Sequence, residues 1–526
     1  MKKYNKIKSI AAMLMVCAYA TSCTDNFDDL NTNPNTLTED QLDASLAGPS
    51  FASALYAGIH NGSYSSPGVD DQGTWGIGTG IMSSTFVQYM YTGFETNNNE
   101  FGGREARAWT RFYTVAVPAL NNAFKAAEGR ENEIAILKIW KAFMYNQMTD
   151  SYGPIPYTEA GNGKEKVAYD SQEAIYEDFF KLLDEADSVL SSTSDTTAAL
   201  FQISDRIYSG NIDKWRIFGN SLRLRLAMRI SDVQPAKAKT QAELAVNNGV
   251  METNDQSAAF QTSNITPNNL NMIVNSWGYY MSASMESILK GYNDPRMKLW
   301  FSPVVQANDT IFQGRPVGDD KDPFGTTKFS QFNNDVLGND YSETKEIEIL
   351  MAAECYFTRA EGALDGWNMN GTAENLYKEG IKLSLNQWKV TDQTVIDNYI
   401  DGTTTPVVPA ITNLYTIPEL NTPPVSVPVK WSTTEADQRT QIAVQKYLAL
   451  FPESWETWSD LRRSDAKVIY PILHTNNEDP GVGKSLMKRA IFVTNEISAN
   501  GEAVEDAISK LGGPDTGGTK LWWDKN

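Results

Sequence analysis

Apolar residues recur along most of the chain at three- and four-residue intervals, the repeat of an amphipathic helix. Trp215, Phe218, Leu222, Leu226 and Ile230 mark one such face, with Arg216, Arg223 and Arg229 lying off it. The same pattern predicts helices over Ala106–Glu128 and Asn132–Met148. Ser171 reads as an N-cap, with a helix running to about Leu190. Pro235 fits the first turn of another helix, which ends near Gly249. A stripe of Ile349, Ala353, Tyr356, Ala360 and Ala363 is broken at Gly366 and Gly371, then followed by Ala373, Tyr377, Gly380, Ser384 and Trp388. A last helical pair spans Glu435–Leu450 and Pro452–Arg462.

Small residues alternating with aromatics in the 349–388 pair let two helices approach closely, as in a tetratricopeptide unit. The expected architecture is mostly α, with four such hairpins as a scaffold between long irregular inserts and few short strands. Residues 61–104 carry nine Gly and seven aromatics, 250–346 show no sustained period, and 406–428 hold six Pro. Such long inserts in a compact protein are usually functional or partly disordered. Their aromatic and β-branched content predicts ordered, irregular structure, with short strands around Thr310–Pro316.

Charge narrows the function. With 45 basic and 65 acidic side chains the net charge is −20, which argues against a nucleic-acid partner. Two His and three Cys leave no pattern for zinc or a disulfide framework, and no cofactor or metal site is expected. Asp319, Asp320 and Asp322 could ligate calcium, but Lys321 and Pro323 break the spacing and a solvated turn is expected. No nucleophile elbow or H-E-x-x-H motif occurs.

The N-terminus reads as an export signal. Lys2, Lys3, Lys6 and Lys8 precede an apolar stretch from Ile10 to Ala20, then Ala20-Thr21-Ser22-Cys23. This resembles a bacterial lipobox, although Ala20 stands where Leu is usual. Residues 1–22 are then a signal peptide, Cys23 is acylated, and 23–40 form an acidic tether to a single domain over 41–526. Loss of the signal leaves a charge of −24. Asp25, Asp28 and Asp29 resemble the surface-export signal of Bacteroidota lipoproteins. The remaining Cys355 reads as a small buried hydrophobe.

Ordered blocks extend the resemblance: Asn26-Phe27-Asp28-Asp29-Leu30-Asn31, Tyr292-Asn293-Asp294-Pro295-Arg296, Ala353-Glu354-Cys355-Tyr356, Glu453-Ser454-Trp455-Glu456-Thr457-Trp458 and Leu521-Trp522-Trp523-Asp524. Together these look like the SusD/RagB family. The resemblance implies a SusD-like fold and a non-catalytic lipoprotein on the outer face of the outer membrane. It also implies capture of oligosaccharides, or sometimes peptides, and their delivery to a SusC-like TonB-dependent transporter. A surface glycosidase using two carboxylates is the rival, but nothing singles out a pair among the 65 acids.

A sugar site needs aromatic faces and polar side chains around them. Trp75, Tyr91, Phe94, Asn97 and Asn98 supply both in one insert, and Trp277, Tyr279 and Tyr280 in another. In the alternative reading, Phe86 and Tyr89 belong to a short core helix covered by Tyr91, and the 275–280 block plugs the scaffold. Asp294-Pro295-Arg296 reads as structural. Trp455, Trp458 and Arg462 read as core with a buried ion pair, and Trp522 and Trp523 as docking the tail.

Overall fold

The computed structural model describes residues 43–59, 81–91, 105–164, 166–268, 270, 274, 278–306, 308–318, 324, 327–333, 345–475, 477–479 and 481–525. Its helices are α1 (Ala47–Gly58), α2 (Ile81–Phe86), α3 (Glu105–Arg111), α4 (Val117–Ala126), α5 (Glu131–Tyr152), α6 (Gln172–Ser192), α7 (Ile212–Arg229), α8 (Pro235–Asn248), α9 (Ala283–Gly291) and α10 (Met297–Trp300). They continue with α11 (Ala352–Leu364), α12 (Ala373–Gln387), α13 (Gln393–Ile400), α14 (Glu435–Leu450), α15 (Ser454–Ser464), α16 (Thr494–Ala499) and α17 (Gly501–Leu511). Short 3-10 turns and three short antiparallel strand pairs accompany them. The pairs are β1 (Met90–Tyr91) with β3 (Tyr280–Met281), β2 (Ala258–Phe260) with β6 (Ile347–Leu350), and β4 (Val304–Gln306) with β5 (Asp309–Ile311).

Local chemistry accounts for the helix ends. Ser171 accepts a hydrogen bond from the Ala174 N–H, as an N-cap should, and Asn211 does the same for Lys214. Gly249, at φ 103°, closes α8 where few other residues fit. The expected helix over Ala106–Glu128 is interrupted by a π-helical turn, Phe112–Ala116. Pro118 follows it and has no N–H to give to the Thr114 carbonyl, so the ladder loosens ahead of it.

Helix α5 packs on α6, α7 on α8, and α11 on α12, while α1 packs across the chain on α4. Helices α11 and α12 approach closely, since a Cβ at Gly380 would lie 2.9 Å from the Phe357 ring. Ile349 of the expected stripe belongs to β6, and Cys355 is buried. The core between α1, α5 and α7 is aromatic. Phe51 stacks on Phe201 at 4.2 Å, and Trp140 meets Trp215 edge to face at 6.2 Å.

Helix α7 is buried on nearly every side, with Arg223, Arg225 and Arg229 included, so its amphipathic pattern is only part of its character. Arg225 forks onto Glu354 through two bonds of 2.6 Å. Arg229 pairs with Asp150 at 3.2 Å and with Glu456. Asp150 also accepts from the Tyr176 hydroxyl at 2.7 Å and the Trp523 indole at 2.8 Å, which docks the C-terminal segment. Asp294 and Arg296 form a fully buried pair at 2.6 Å, so this turn is structural. Trp455 and Trp458 are core residues. Arg462, however, makes no ion pair among the described residues. Its guanidinium covers the Trp458 ring at 3.7 Å and donates to the carbonyls of Asp150 and Lys488. A carbonyl cage satisfies the planar fork without burying a second charge.

Candidate functional site

The two inserts carrying the sequence candidates meet through β1 and β3. Met90 is opposite Met281, and Tyr91 is opposite Tyr280. On the other edge of β3, Met281 donates to the Ser330 carbonyl at 2.8 Å, and Arg315 donates to the Met281 carbonyl at 2.7 Å. Four chain segments therefore come together at one short strand. Gly314 is required there, because a Cβ would lie 2.2 Å from the Ser282 carbonyl oxygen.

Helix α9 fixes this junction from below. Ser282 caps it by accepting from the Met285 N–H at 3.1 Å. Glu286, fully buried, accepts from the backbone N–H of Gly314 and of Ala410, each at 2.8 Å. One carboxylate thus ties the helix to the 313–317 segment and to the Pro-rich insert. Burial holds its pKa above the ordinary carboxyl value, against the pull of those two N–H groups.

Above the helix lies a patch of rings around Arg315. Its guanidinium is 5.9 Å from the Tyr91 ring, 5.8 Å from Tyr280 and 5.3 Å from Phe329. Phe329 and Phe324 lie 5.8 Å apart, and Tyr415 meets Phe324 edge to face at 4.9 Å. The Tyr415 hydroxyl donates to the Phe324 carbonyl at 2.9 Å. Tyr280 and Tyr415 are half-buried and keep part of a ring at the surface, whereas Phe324 and Phe329 are buried beneath them.

Two sequence candidates are corrected here. Tyr91 is closed off, packed with Val317 and Ile472, so it covers the core and presents no face to a ligand. Tyr279 is also buried, because alternation along the strand turns it away from Tyr280 and into the main core. Phe86 and Tyr89 face the core as well. Tyr280 alone of the described candidates keeps surface. Trp75, Phe94, Asn97, Asn98 and Trp277 lie outside the described residues, as do Asp319, Asp320, Lys321, Asp322, Pro323 and Cys23.

A cleft of about 600 Å³ opens behind the patch. Phe86, Gln88, Tyr470 and Ile472 line it, with Lys467 and Lys484 among its charged residues. Gln88 is fixed by its amide, which donates to the Tyr470 carbonyl at 2.6 Å and accepts from the Ser284 hydroxyl at 2.5 Å. Sequence reasoning missed Arg315, Phe329, Tyr415 and Tyr470. Arg315 sits in the stretch expected to form strands and Tyr415 in the Pro-rich insert, but no periodic signal links either to Tyr280.

Among the described residues no group of three His, Cys, Asp or Glu is placed to hold a metal ion, and no helix is long and apolar enough to cross a membrane. What this arrangement leaves at the surface is part of the Tyr280 and Tyr415 rings, set over a buried Arg315, and such ring faces suit sugar ligands.

No curated protein sequence matches the chain. A chitin-binding SusD homologue from Flavobacterium johnsoniae is 34% identical, covers 91% of this chain and 99% of its own, and superposes with a TM-score of 0.80. A SusD-like protein from Bacteroides thetaiotaomicron is 26% identical over 91% and 99%, also with a TM-score of 0.80. A further chitin-binding protein is 25% identical over 91% and 100%, with a TM-score of 0.72. The family model of SusD and RagB outer membrane lipoproteins matches residues 29–524. A helical scaffold with tetratricopeptide-like pairs, a whole-length likeness to SusD homologues and this family match lead to one assignment: the chain belongs to the SusD-like family.

Proposed function

We propose that this lipoprotein captures oligosaccharides at the cell surface and delivers them to a SusC-like TonB-dependent transporter, without catalysing their cleavage. The observation that carries the reading is the 34% identity, over nearly both full lengths, to a protein described as chitin-binding. Oligosaccharides of N-acetylglucosamine are accordingly the first ligands to test. The site is the patch around Tyr280, Arg315 and Tyr415, and Trp75, Phe94, Asn97, Asn98 and Trp277 remain part of the proposal.

Calorimetry on detergent-extracted protein should show heat with N-acetylchitohexaose and little with maltohexaose. Removing one ring face by Tyr280→Ala should weaken binding by on the order of 1–3 kcal/mol. Thermal melts should barely move, because the ring is half-exposed. Unchanged binding by Tyr280→Ala, or no heat with any neutral oligosaccharide, would count against the patch.

Anchoring is proposed through Cys23, with 1–22 removed as a signal and 23–40 as the tether to a single domain over 41–526. Cys23→Ala should release the protein from the membrane fraction or leave it uncleaved. Membrane retention of a cleaved Cys23→Ala variant would refute acylation as the anchor.

A further inference from the structure

A second groove, of about 520 Å³, lies between α10, β6 and the C-terminal end of α12. It shares no residue with the aromatic patch or with the cleft behind it. Lys298, Lys345 and Lys389 line it from three separate parts of the chain. None of the three ammonium groups has a partner among the described residues. Lys389 also holds a left-handed backbone, φ 64°, just past the end of α12, where glycine is the favoured residue.

Two carboxyl groups share the groove. Glu346 is engaged by the Gln261 amide at 2.7 Å. Glu348 is pushed up to about 8 by burial, which leaves it uncharged at neutral pH and the groove with a surplus of positive charge.

The wall also holds a donor and an acceptor with nothing to bond. The Trp388 indole N–H and the Gln387 amide oxygen both lack hydrogen-bond partners. An unmade bond of this kind costs about 1–3 kcal/mol. Both residues line the groove, and their side chains are half-buried. Trp300 packs edge to face on Trp388 at 5.4 Å and holds the ring upright.

We propose that this groove binds an anionic sugar unit, its carboxylate or sulfate held by Lys298, Lys345 and Lys389 and its hydroxyls by Gln387 and Trp388. Ammonium groups reward a carboxylate or sulfate through charge-assisted bonds. A simple inorganic anion could accept from the indole N–H but would leave the Gln387 amide oxygen unmatched. A peptide side chain would meet amide and hydroxyl groups from Gln261 and Thr262, with Leu299 as the aliphatic exception.

The test uses detergent-extracted full-length protein and saturation-transfer NMR with a glucuronate disaccharide, N-acetylglucosamine 6-sulfate, their uncharged counterparts and an acidic tetrapeptide. At least one anionic sugar should bind, about tenfold more tightly than its neutral counterpart, and added salt should weaken it. A Lys298→Ala, Lys389→Ala double variant should lose about tenfold. Trp388→Phe keeps an aromatic ring, removes the N–H, and should lose about threefold without lowering the melting temperature. Tyr280→Ala should leave this binding unchanged, which separates the groove from the aromatic patch. Binding by the peptide alone, equal binding of the neutral sugars, no binding by either anionic sugar, or binding lost only in Tyr280→Ala would each overturn the proposal.

Discussion

Replacing Arg229 by Met should destabilise the protein by about 3–5 kcal/mol, the usual cost of leaving a buried charge without its partner. Arg229 is 2% exposed and stands between two carboxylates, Asp150 and Glu456. Its guanidinium also lies 5.2 Å from the Trp523 ring, so it links α5, α7, α15 and the C-terminal segment. Without it Glu456 still has Arg225 at 3.7 Å, but Asp150 keeps only neutral donors: Tyr176, Trp523, Asn146 and, at 3.5 Å, Gln172. Burial already lifts the Asp150 pKa, and Arg229 is the main influence pulling it down. The carboxylate must then protonate or unfold its surroundings. Urea unfolding followed by circular dichroism measures the loss. Adding Asp150→Asn removes the stranded charge and should recover part of it, because the two sites are directly coupled. An Arg229→Met protein that unfolds at the same urea concentration as the parent would show that the network contributes no net stability.

The helical scaffold was legible because its signals are local. Ser171 as a cap, Pro235 at a helix start, Gly249 at a helix end and the small-residue stripe around Gly380 each express a rule that a few neighbouring residues enforce. The π-helical turn before Pro118 was equally local, yet the apolar period runs through it unchanged and hides it. Arginines of α7 were legible as lying off the apolar face, but not as buried. The carboxylates that hold Arg225 and Arg229, namely Glu354, Glu456 and Asp150, are remote in sequence and come from three other helices.

The candidate site was legible in composition and not in detail. Aromatics concentrated in Gly- and Asn-rich inserts pointed to two segments, and β1–β3 pairing brings those segments together. Which rings keep an open face depends on strand alternation and on what covers them. Tyr279 and Tyr280 are neighbours with opposite fates for the first reason, and Tyr91 is closed by Val317 and Ile472 for the second. Arg315 and Tyr415 enter the patch from distant inserts whose approach to Tyr280 no spacing rule encodes.

Stability should fall as pH rises from about 5 to 8, and Glu453→Gln should flatten that fall. Glu453 sits at the start of α15, where it accepts the Glu456 N–H at 2.7 Å. Burial pushes its pKa up to about 8; Arg225 opposes the shift and Glu456 adds to it. Burial pushes Glu348 up to about 8 as well, and Asp150 and Glu286 are raised by the same cause. Between the unfolded carboxyl value of about 4.3 and a folded value near 8, the native state holds a proton that the unfolded chain has released. Each such group then costs about 1.4 kcal/mol per pH unit, in the direction of lower stability at higher pH. Its contribution is complete below the unfolded value and lost as pH climbs through the folded one. Asp460 behaves oppositely. Burial would raise its pKa, but Lys446 and Arg463 outweigh that and hold it well below the ordinary range, so it matters only in acid, beneath this window. The amide introduced by Glu453→Gln would keep an oxygen to cap α15 and need no proton. The variant should therefore match the parent near pH 5 and exceed it near pH 8. Urea midpoints measured across this range for both proteins decide the matter: parallel curves would mean that Glu453 ionises freely in the folded state.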